Sequence, residues 1–294
     1  MAAFDSIEQA RVLQFKANVT HLYQQIPAKL QGTFREVDLV GKAHFFERLG
    51  TEAAVQKTAR HADTVLLDPA HTRRMVVPSD YVWNALVDQQ DKIRLLIDPN
   101  SEYAIAAARA LQRAQDDVYI ASFAADAAAG ESGGTAVTFA SEKAADTDIS
   151  AAAAKTTDVL AVKKALDGGD VDMDERYACV HPSYITQLLA NTTAPIVASS
   201  DYNSIKALVQ GSLDTWVGFK WITTTRVILS SGTKYFAYFW QKNAMGAARA
   251  KEIMARLSER ADKDYAVQTY ACMTIGATRI QGPGVARQLM DSAL

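Results

Sequence analysis

The sequence lacks the marks of a chemical site. No Gly-Lys-Ser/Thr follows Gly130, Gly133 and Gly134, so these glycines form no phosphate-cradling Walker loop. HExxH and GxSxG are absent, and the five histidines show no metal-ligand spacing. Cysteine is scarce. Cys179 and Cys272 are far apart and neither sits in a CxxC pair, which argues against zinc ribbons and thioredoxin-like chemistry. The plainer reading is two buried thiols in a reducing compartment. An excess of basic charge is missing too. Lys and Arg number 31 against 33 Asp and Glu, a net charge of −2, so strong binding to nucleic acid by phosphate neutralisation is not indicated. No run approaches the ~18 apolar residues of a membrane span. The start, Met1-Ala2-Ala3-Phe4-Asp5, lacks the basic and apolar regions of a secretory signal. The expectation is a chain with no cofactor, no metal, no membrane contact and no catalytic residues.

What is present is an ordinary globular composition, 49% hydrophobic and 22% charged over 294 residues, enough for one large domain or two. Residues 4–30 carry apolar side chains at helical spacing (Phe4, Ile7, Val12, Phe15, Val19, Leu22) until Pro27 interrupts, which fits an arm on a neighbour or a core helix. Residues 34–40 alternate, with Val37 and Leu39 on one face and Glu36 and Asp38 on the other, the period of a half-buried strand. Thr64–Leu67 and Thr72–Val77 flank Asp68-Pro69, which predicts a hairpin over 63–77 at the end of a long excursion. Such an excursion exposes strand edges unless a neighbour covers them.

Asp98-Pro99 is a helix start, an N-cap followed by proline at the first helical position. No proline or glycine follows until Gly130, which predicts a helix of about 28 residues, roughly 42 Å long. A helix is expected over 149–166, stopped by Gly168-Gly169. A strand follows at Tyr177–His181, then a helix from Pro182 to Leu189 and another near 203–210. Residues 216–230 read as two strands kinked at Gly218, and Lys234–Trp240 as an aromatic-rich strand. Ala247–Leu257 reads as helical or strongly amphipathic and Arg256–Asp264 as a charged loop. Val267–Ile275 alternates as a long strand closed by Gly282-Pro283-Gly284. The sum is mixed α+β without a regular βαβ rhythm.

Three constellations invite a chemical reading, and each has a plainer one. Asp170, Asp172 and Asp174 start like a calcium loop, but Glu175 replaces its glycine and His181 its last glutamate, which leaves an acidic surface loop. Cys179 and His181 lie two apart on a predicted strand. A nucleophile pair would need an accessible thiolate, and the flanking Tyr177, Ala178 and Val180 read as buried sheet. The Trp and Tyr residues between 216 and 240 could stack on bases, but no basic stripe accompanies them, so core packing is the reading.

The ordered set of elements resembles the Hong Kong 97-type major capsid proteins of tailed bacteriophages, a fold shared with encapsulin nanocompartments. The excursion at about 41–77 looks like that family's E-loop, returning through Arg73-Arg74-Met75-Val76-Val77-Pro78-Ser79-Asp80-Tyr81-Val82-Trp83. The helix at 99–126, with Arg113 and Asp117 on its polar face, resembles the spine helix. Arg176-Tyr177-Ala178-Cys179-Val180-His181-Pro182 resembles the family's strand–proline–helix step. Gly211–Phe219 followed by Trp221 and Ile222 resembles an axial-domain strand pair, and Arg256–Asp264 its charged peripheral loop.

The resemblance implies an N-terminal arm (1–33), an E-loop (34–78), a peripheral domain (79–140 and 250–294, with the spine helix 99–126) and an axial domain (141–249). It implies pentamers and hexamers of an icosahedral phage head around double-stranded DNA held without sequence specificity. Portal, scaffolding and decoration proteins are the implied partners. The place implied is the virion capsid, assembled in host cytoplasm, with any scaffold a separate protein. An encapsulin-like cargo shell is the alternative of the same fold, and a Cys-His hydrolase the alternative of a different class. Candidate inter-subunit contacts are Lys57, Arg60, Arg73 and Arg74 on the excursion and Glu259, Asp262 and Asp264 in the charged stretch. The crosslink between lysine and asparagine found in some relatives is not carried over, because no partner for Lys57 is identifiable.

Overall fold

A computed structural model describes residues 27–61, 63–87, 100–190 and 214–293. The pattern expected over 4–26, the Asp98-Pro99 helix start and the helix near 203–210 lie outside these residues. Two compact units divide the chain. One holds residues 80–114 and 251–273 among its described parts, the other 28–79, 115–250 and 274–293.

The larger unit is organised around a seven-stranded sheet of order β7-β15-β12-β8-β10-β9, with β11 beside β12. Its strands are β7 (Ala145–Asp148), β8 (Arg176–Val180), β9 (Thr215–Trp216), β10 (Phe219–Thr223), β11 (Leu229–Ser231), β12 (Lys234–Gln241) and β15 (Val285–Asp291). β12 runs antiparallel to both neighbours, Tyr238 opposite Cys179 on one side and Arg287 on the other. Alternation sends successive residues to opposite faces. Ala178, Val180, Phe219, Trp221, Ala237 and Phe239 meet the helices α3 (Thr156–Gly168) and α4 (Pro182–Ala190) through Val159, Val162, Leu166, Tyr184 and Leu188. The other face carries Tyr177, Tyr238 and Trp240. There Phe123 stacks on Tyr238 at 4.7 Å and Phe34 on Tyr119 at 4.4 Å, with Trp240 edge-on to Phe34. Phe123 and Tyr119 come from the C-terminal part of α1 (Asn100–Ala124), the expected long helix. Asp116 on the same helix accepts the backbone N–H groups of Lys29 (2.9 Å) and Leu30 (3.1 Å), fixing the root of the N-terminal segment.

Also in this unit, β2 (His44–Leu49) and β3 (His71–Val76) form an antiparallel hairpin, His44 opposite Val76 and Leu49 opposite His71. β3 continues into β5 (Ala127–Ala129) and β5 into β6 (Thr135–Val137), followed by the short helix α2 (Phe139–Glu142). Phe46 and Val76 seat the hairpin in a small core with Leu39, Ala248 and Ile280. At Gly246 a Cβ would lie 2.6 Å from the Phe46 ring, so only glycine lets that ring down. A third sheet has the order β1-β13-β14-β4, from β1 (Arg35–Asp38), β13 (Met245–Arg260), β14 (Ala266–Arg279) and β4 (Ser79–Val87).

The smaller unit holds most of β4, the N-terminal part of α1 and the distal halves of β13 and β14. Trp83 of β4 approaches Tyr103 of α1 at 6.4 Å, and Gln268 of β14 donates to Asn84 of β4 at 2.8 Å.

Four expectations need correction. The strand that pairs with His71–Val76 is His44–Leu49, not Thr64–Leu67; among the described residues of 51–70 there is no strand. Phe46 gives the earlier segment a core-facing anchor that Thr64–Leu67 lacks. Ala247–Leu257 is strand, not helix, and Arg256–Arg260 continues that strand instead of forming a loop. Its Ala, Lys, Glu, Met and Leu favour helix intrinsically, but pairing with β1 and β14 overrides so weak a preference. The helix expected from 149 begins at Thr156, where the Asp158 carboxylate accepts the Lys155 backbone N–H at 2.9 Å. Beyond these, the long strand closes before Gly282-Pro283-Gly284 as expected, and the residues after it form a further strand, β15, between β7 and β12 in the seven-stranded sheet.

Candidate inter-subunit surfaces

The residues that invited a chemical reading are used up in packing. Cys179 is fully buried in β8, opposite Tyr238. Burial pushes its thiol well above the usual range, and the Asp116 carboxylate adds to this. A thiol held protonated and closed off is a poor nucleophile. His181, just past the strand, stacks on Tyr235 at 4.3 Å and shares a 2.6 Å hydrogen bond with Ser183 at the start of α4. Burial lowers its pKa and disfavours the imidazolium.

The acidic loop braces an arginine. Arg176 donates to the carbonyls of Asp172 and Val171 and pairs with Asp167 at 2.6 Å. Among the described residues no group of three or more His, Cys, Asp or Glu is placed to hold a metal ion. Trp221 and Trp240 point inward and donate to the carbonyls of Trp216 and Thr33, both at 3.1 Å.

The surface residues singled out by sequence fall in two places. Lys57 and Arg60 are exposed on the 50–70 connection. Its apolar side chains are exposed as well: Val55, Val65, Leu67 and, at 91%, Leu66. Arg73 projects from β3, pairs with Glu47 of β2 at 3.2 Å and lies over the Phe45 ring at 5.4 Å. Arg74, the next residue, points the other way. It is buried and ion-paired with Glu142, with Arg48 3.8 Å from the same carboxylate. Arg74 is therefore committed within the chain, which differs from the expectation that it meets a neighbour's acid.

At the other place, Glu259 is the last residue but one of β13, and Asp262 and Asp264 sit in the turn to β14, all exposed. Arg260 donates to both oxygens of Asp262 at 2.6 and 2.7 Å, and this hydrogen-bonded pairing holds that carboxyl down at about 2. Asp264 and Tyr265 adopt left-handed backbone at the tip.

Sequence reasoning missed Glu47, Arg48 and Glu142. The Glu47–Arg73 pair follows from hairpin register, so it was invisible while the partner strand was misplaced. Glu142 stands 68 residues from Arg74, and nothing local in the sequence links them.

With this geometry in view, the comparisons are consistent with one another. A family model described as "Phage capsid protein" matches residues 7–291. Among curated protein sequences none matches. The capsid structure of cyanophage P-SCSP1u superposes with a TM-score of 0.73 at 14% identity, covering 97% of this chain and 94% of that one. The capsid of cyanophage Pam1 gives 0.72 at 12% identity over 100% of both chains. That of Ralstonia phage GP4 gives 0.70 at 9% identity, covering 99% of this chain and 97% of that one. At such identities these likenesses speak to fold, and the fold they share is Hong Kong 97-like.

Proposed function

We propose, for a chain that belongs to the phage capsid protein family and is a structural, major capsid protein, that it closes into pentamers and hexamers of an icosahedral head filled with double-stranded DNA. In this reading portal and scaffolding proteins, and in some heads a decoration protein, are further partners, and assembly takes place in host cytoplasm. Residues 1–33 act as the arm and 34–78 as the E-loop. Residues 79–140 with 250–284 form the peripheral part around the spine helix α1. Residues 141–249 with β15 form the axial part, because β15 completes that sheet.

The observation that carries the proposal is the 50–70 connection. It holds out Val55, Val65, Leu66 and Leu67 with no strand of its own among its described residues. A contiguous exposed apolar segment is an association site or an aggregation hazard. A neighbouring subunit turns the hazard into an interface. Lys57, Arg60 and Arg73 would flank that contact. Glu259, Asp262 and Asp264 would offer carboxylates at another. Each such rim pair contributes little alone but recurs at every equivalent position of a shell.

The test is expression of the full chain, alone and with its scaffold, followed by size-exclusion chromatography and negative-stain microscopy. Closed or aberrant shells, or isolated capsomers, are expected. Stable monomers under every condition, scaffold included, would refute the proposal.

A further inference from the structure

The β2–β3 hairpin is seated at its root. Phe46 and Val76 enter the small core with Leu39, Ala248 and Ile280, and β5 pairs with β3 at Arg74 and Met75. Apolar contact has no direction, and a two-residue ladder is short. The tilt of the hairpin therefore rests on its polar contact with the rest of the unit, which is Glu142. The backbone of Glu142 is held in place. A Cβ at Gly282 would overlap its side chain and carbonyl, so the two lie in close contact, and Ala144 donates to the Val285 carbonyl of β15 at 2.9 Å.

On the hairpin face turned toward Glu142, cross-strand pairs follow one another outward: His44 with Val76, Phe46 with Arg74, Arg48 with Thr72. Arg74 and Arg48 share that face, with Arg48 two residues further from the root, about 7 Å along the strand. Arg73, on the opposite face, is taken by Glu47. Glu142 Oε1 is the ion-pair and hydrogen-bond partner of Arg74. The Nη1 atom of Arg48 stands 3.8 Å from the same oxygen, beyond hydrogen-bond length. Glu142 Oε2 is buried without a hydrogen-bond partner. Arg48 has lost part of its water as well: burial lowers its pKa, the Arg74 charge adds to this, and the Glu142 charge opposes it. A bare buried acceptor thus lies on the carboxylate that Arg48 already approaches, and an unmade bond at a buried group costs its desolvation.

We propose that Glu142 is a latch with two settings. In the observed one, Arg74 alone is hydrogen-bonded. In the other, the hairpin tilts toward α2 about its Phe46 and Val76 seat. A shift of about 1 Å at Arg48 brings its guanidinium to hydrogen-bond length of Oε2, while Arg74 keeps Oε1. The displacement grows with distance from the seat, so the 50–70 connection swings further than Arg48 does. Where that connection meets a neighbouring subunit, as in the proposed function, the latch sets the direction in which it is offered. The latch itself belongs to the single chain and does not depend on shell formation.

The experiment is hydrogen–deuterium exchange with mass spectrometry on the full chain, kept unassembled at low concentration. Peptides from β2 and β3 are compared with peptides from β8 and β12. A pair at 3.8 Å with a 25% exposed arginine contributes little as it stands, so the observed setting alone predicts no change in Arg48→Gln. With the latch, Arg48→Gln should speed exchange in β2 and β3 at least fivefold and leave β8 and β12 unchanged. Glu142→Gln should speed it at least as much. The double variant should exchange no faster than Glu142→Gln alone, because Arg48 then has no carboxylate to close on. Arg48→Lys keeps the charge and loses the fork, so it should restore only part of the protection. Full restoration by lysine would reduce the pair to plain charge attraction and overturn the latch. So would wild-type exchange in Arg48→Gln, or effects that multiply in the double variant. Should Glu142→Gln fail to fold, Arg48→Gln and Arg48→Lys still decide.

Discussion

In β8 all five residues, Arg176–Val180, are buried, whereas in the run Val65–Leu67 every residue is exposed. Both segments are apolar, and both lie in the larger unit. β8 is covered by β10 and β12 at its edges, by α3 and α4 on one face and by aromatics of α1 and Phe34 across the other. Among its described residues the excursion is seated in the core at its base, where Phe46, Val76 and Arg74 are buried. Burial stabilises by about 25 cal/mol per Å² of apolar surface, so a chain that folds for itself alone has every reason to tuck Leu66 away. The contrast separates two tasks. The sheet holds the subunit together, and the excursion leaves exposed the apolar surface that, in the proposed reading, another subunit would cover.

The widest break in that comparison would come from replacing only residues 51–69 with a short Gly-Ser linker, keeping the seated base of the hairpin. The expected product has native circular dichroism and no shells, only monomers or isolated capsomers by light scattering. Full-size shells from this variant would show that the excursion is not the arm between subunits. Trp240→Ala attacks the other side. Trp240 is fully buried, packs on Phe34, Phe123 and Tyr177, and donates to the Thr33 carbonyl. Truncation should cost about 3–5 kcal/mol by cavity formation, read as a lower urea midpoint of the unassembled protein. A variant with unchanged stability that fails to assemble would mean that the sheet too serves the shell directly.

Much of the sheet was legible because its signals are local. Asp98-Pro99 and the absence of breakers up to Gly130 set out a long helix, observed over Asn100–Ala124. Pro182 marks the start of α4, and the aromatic run at 234–240 is β12. What failed depends on distant partners. Residues 247–257 read as helix because alanine, lysine and glutamate favour it, and only pairing with β1 and β14 makes them strand. β15 follows a Gly-Pro-Gly segment that looks like an ending, and its partners lie about 50 residues back in β12 and further still in β7. The ion pair of Arg74 and Glu142 was invisible for the same reason, since these two and Arg48 meet only in three dimensions. Arg73 and Arg74 are adjacent and alike in sequence, yet one is a surface group and the other a buried one.

The smallest expected effect sharpens the comparison from within the sheet, at the turn between β9 and β10. Trp216 pairs with Phe219, so the turn has two central residues, Val217 and Gly218, with φ of 56° and 81°. That is the left-handed pair a two-residue hairpin of this hand requires, and Asn-Gly is the sequence that suits it. A β-branched residue in left-handed backbone is strained. The strain per residue is about 1–2 kcal/mol. Val217 is held there while it packs partly against the core beneath α3 and α4. Val217→Asn relieves the backbone but gives up some of that apolar contact, so the net gain should be modest, about 0.5–1 kcal/mol. For a domain of this size it would appear as a rise of roughly 1–4 °C in the unfolding midpoint of the unassembled chain. A fall in the midpoint would mean that the valine contact outweighs its strain, and that even the turn of this sheet is held in place by its core.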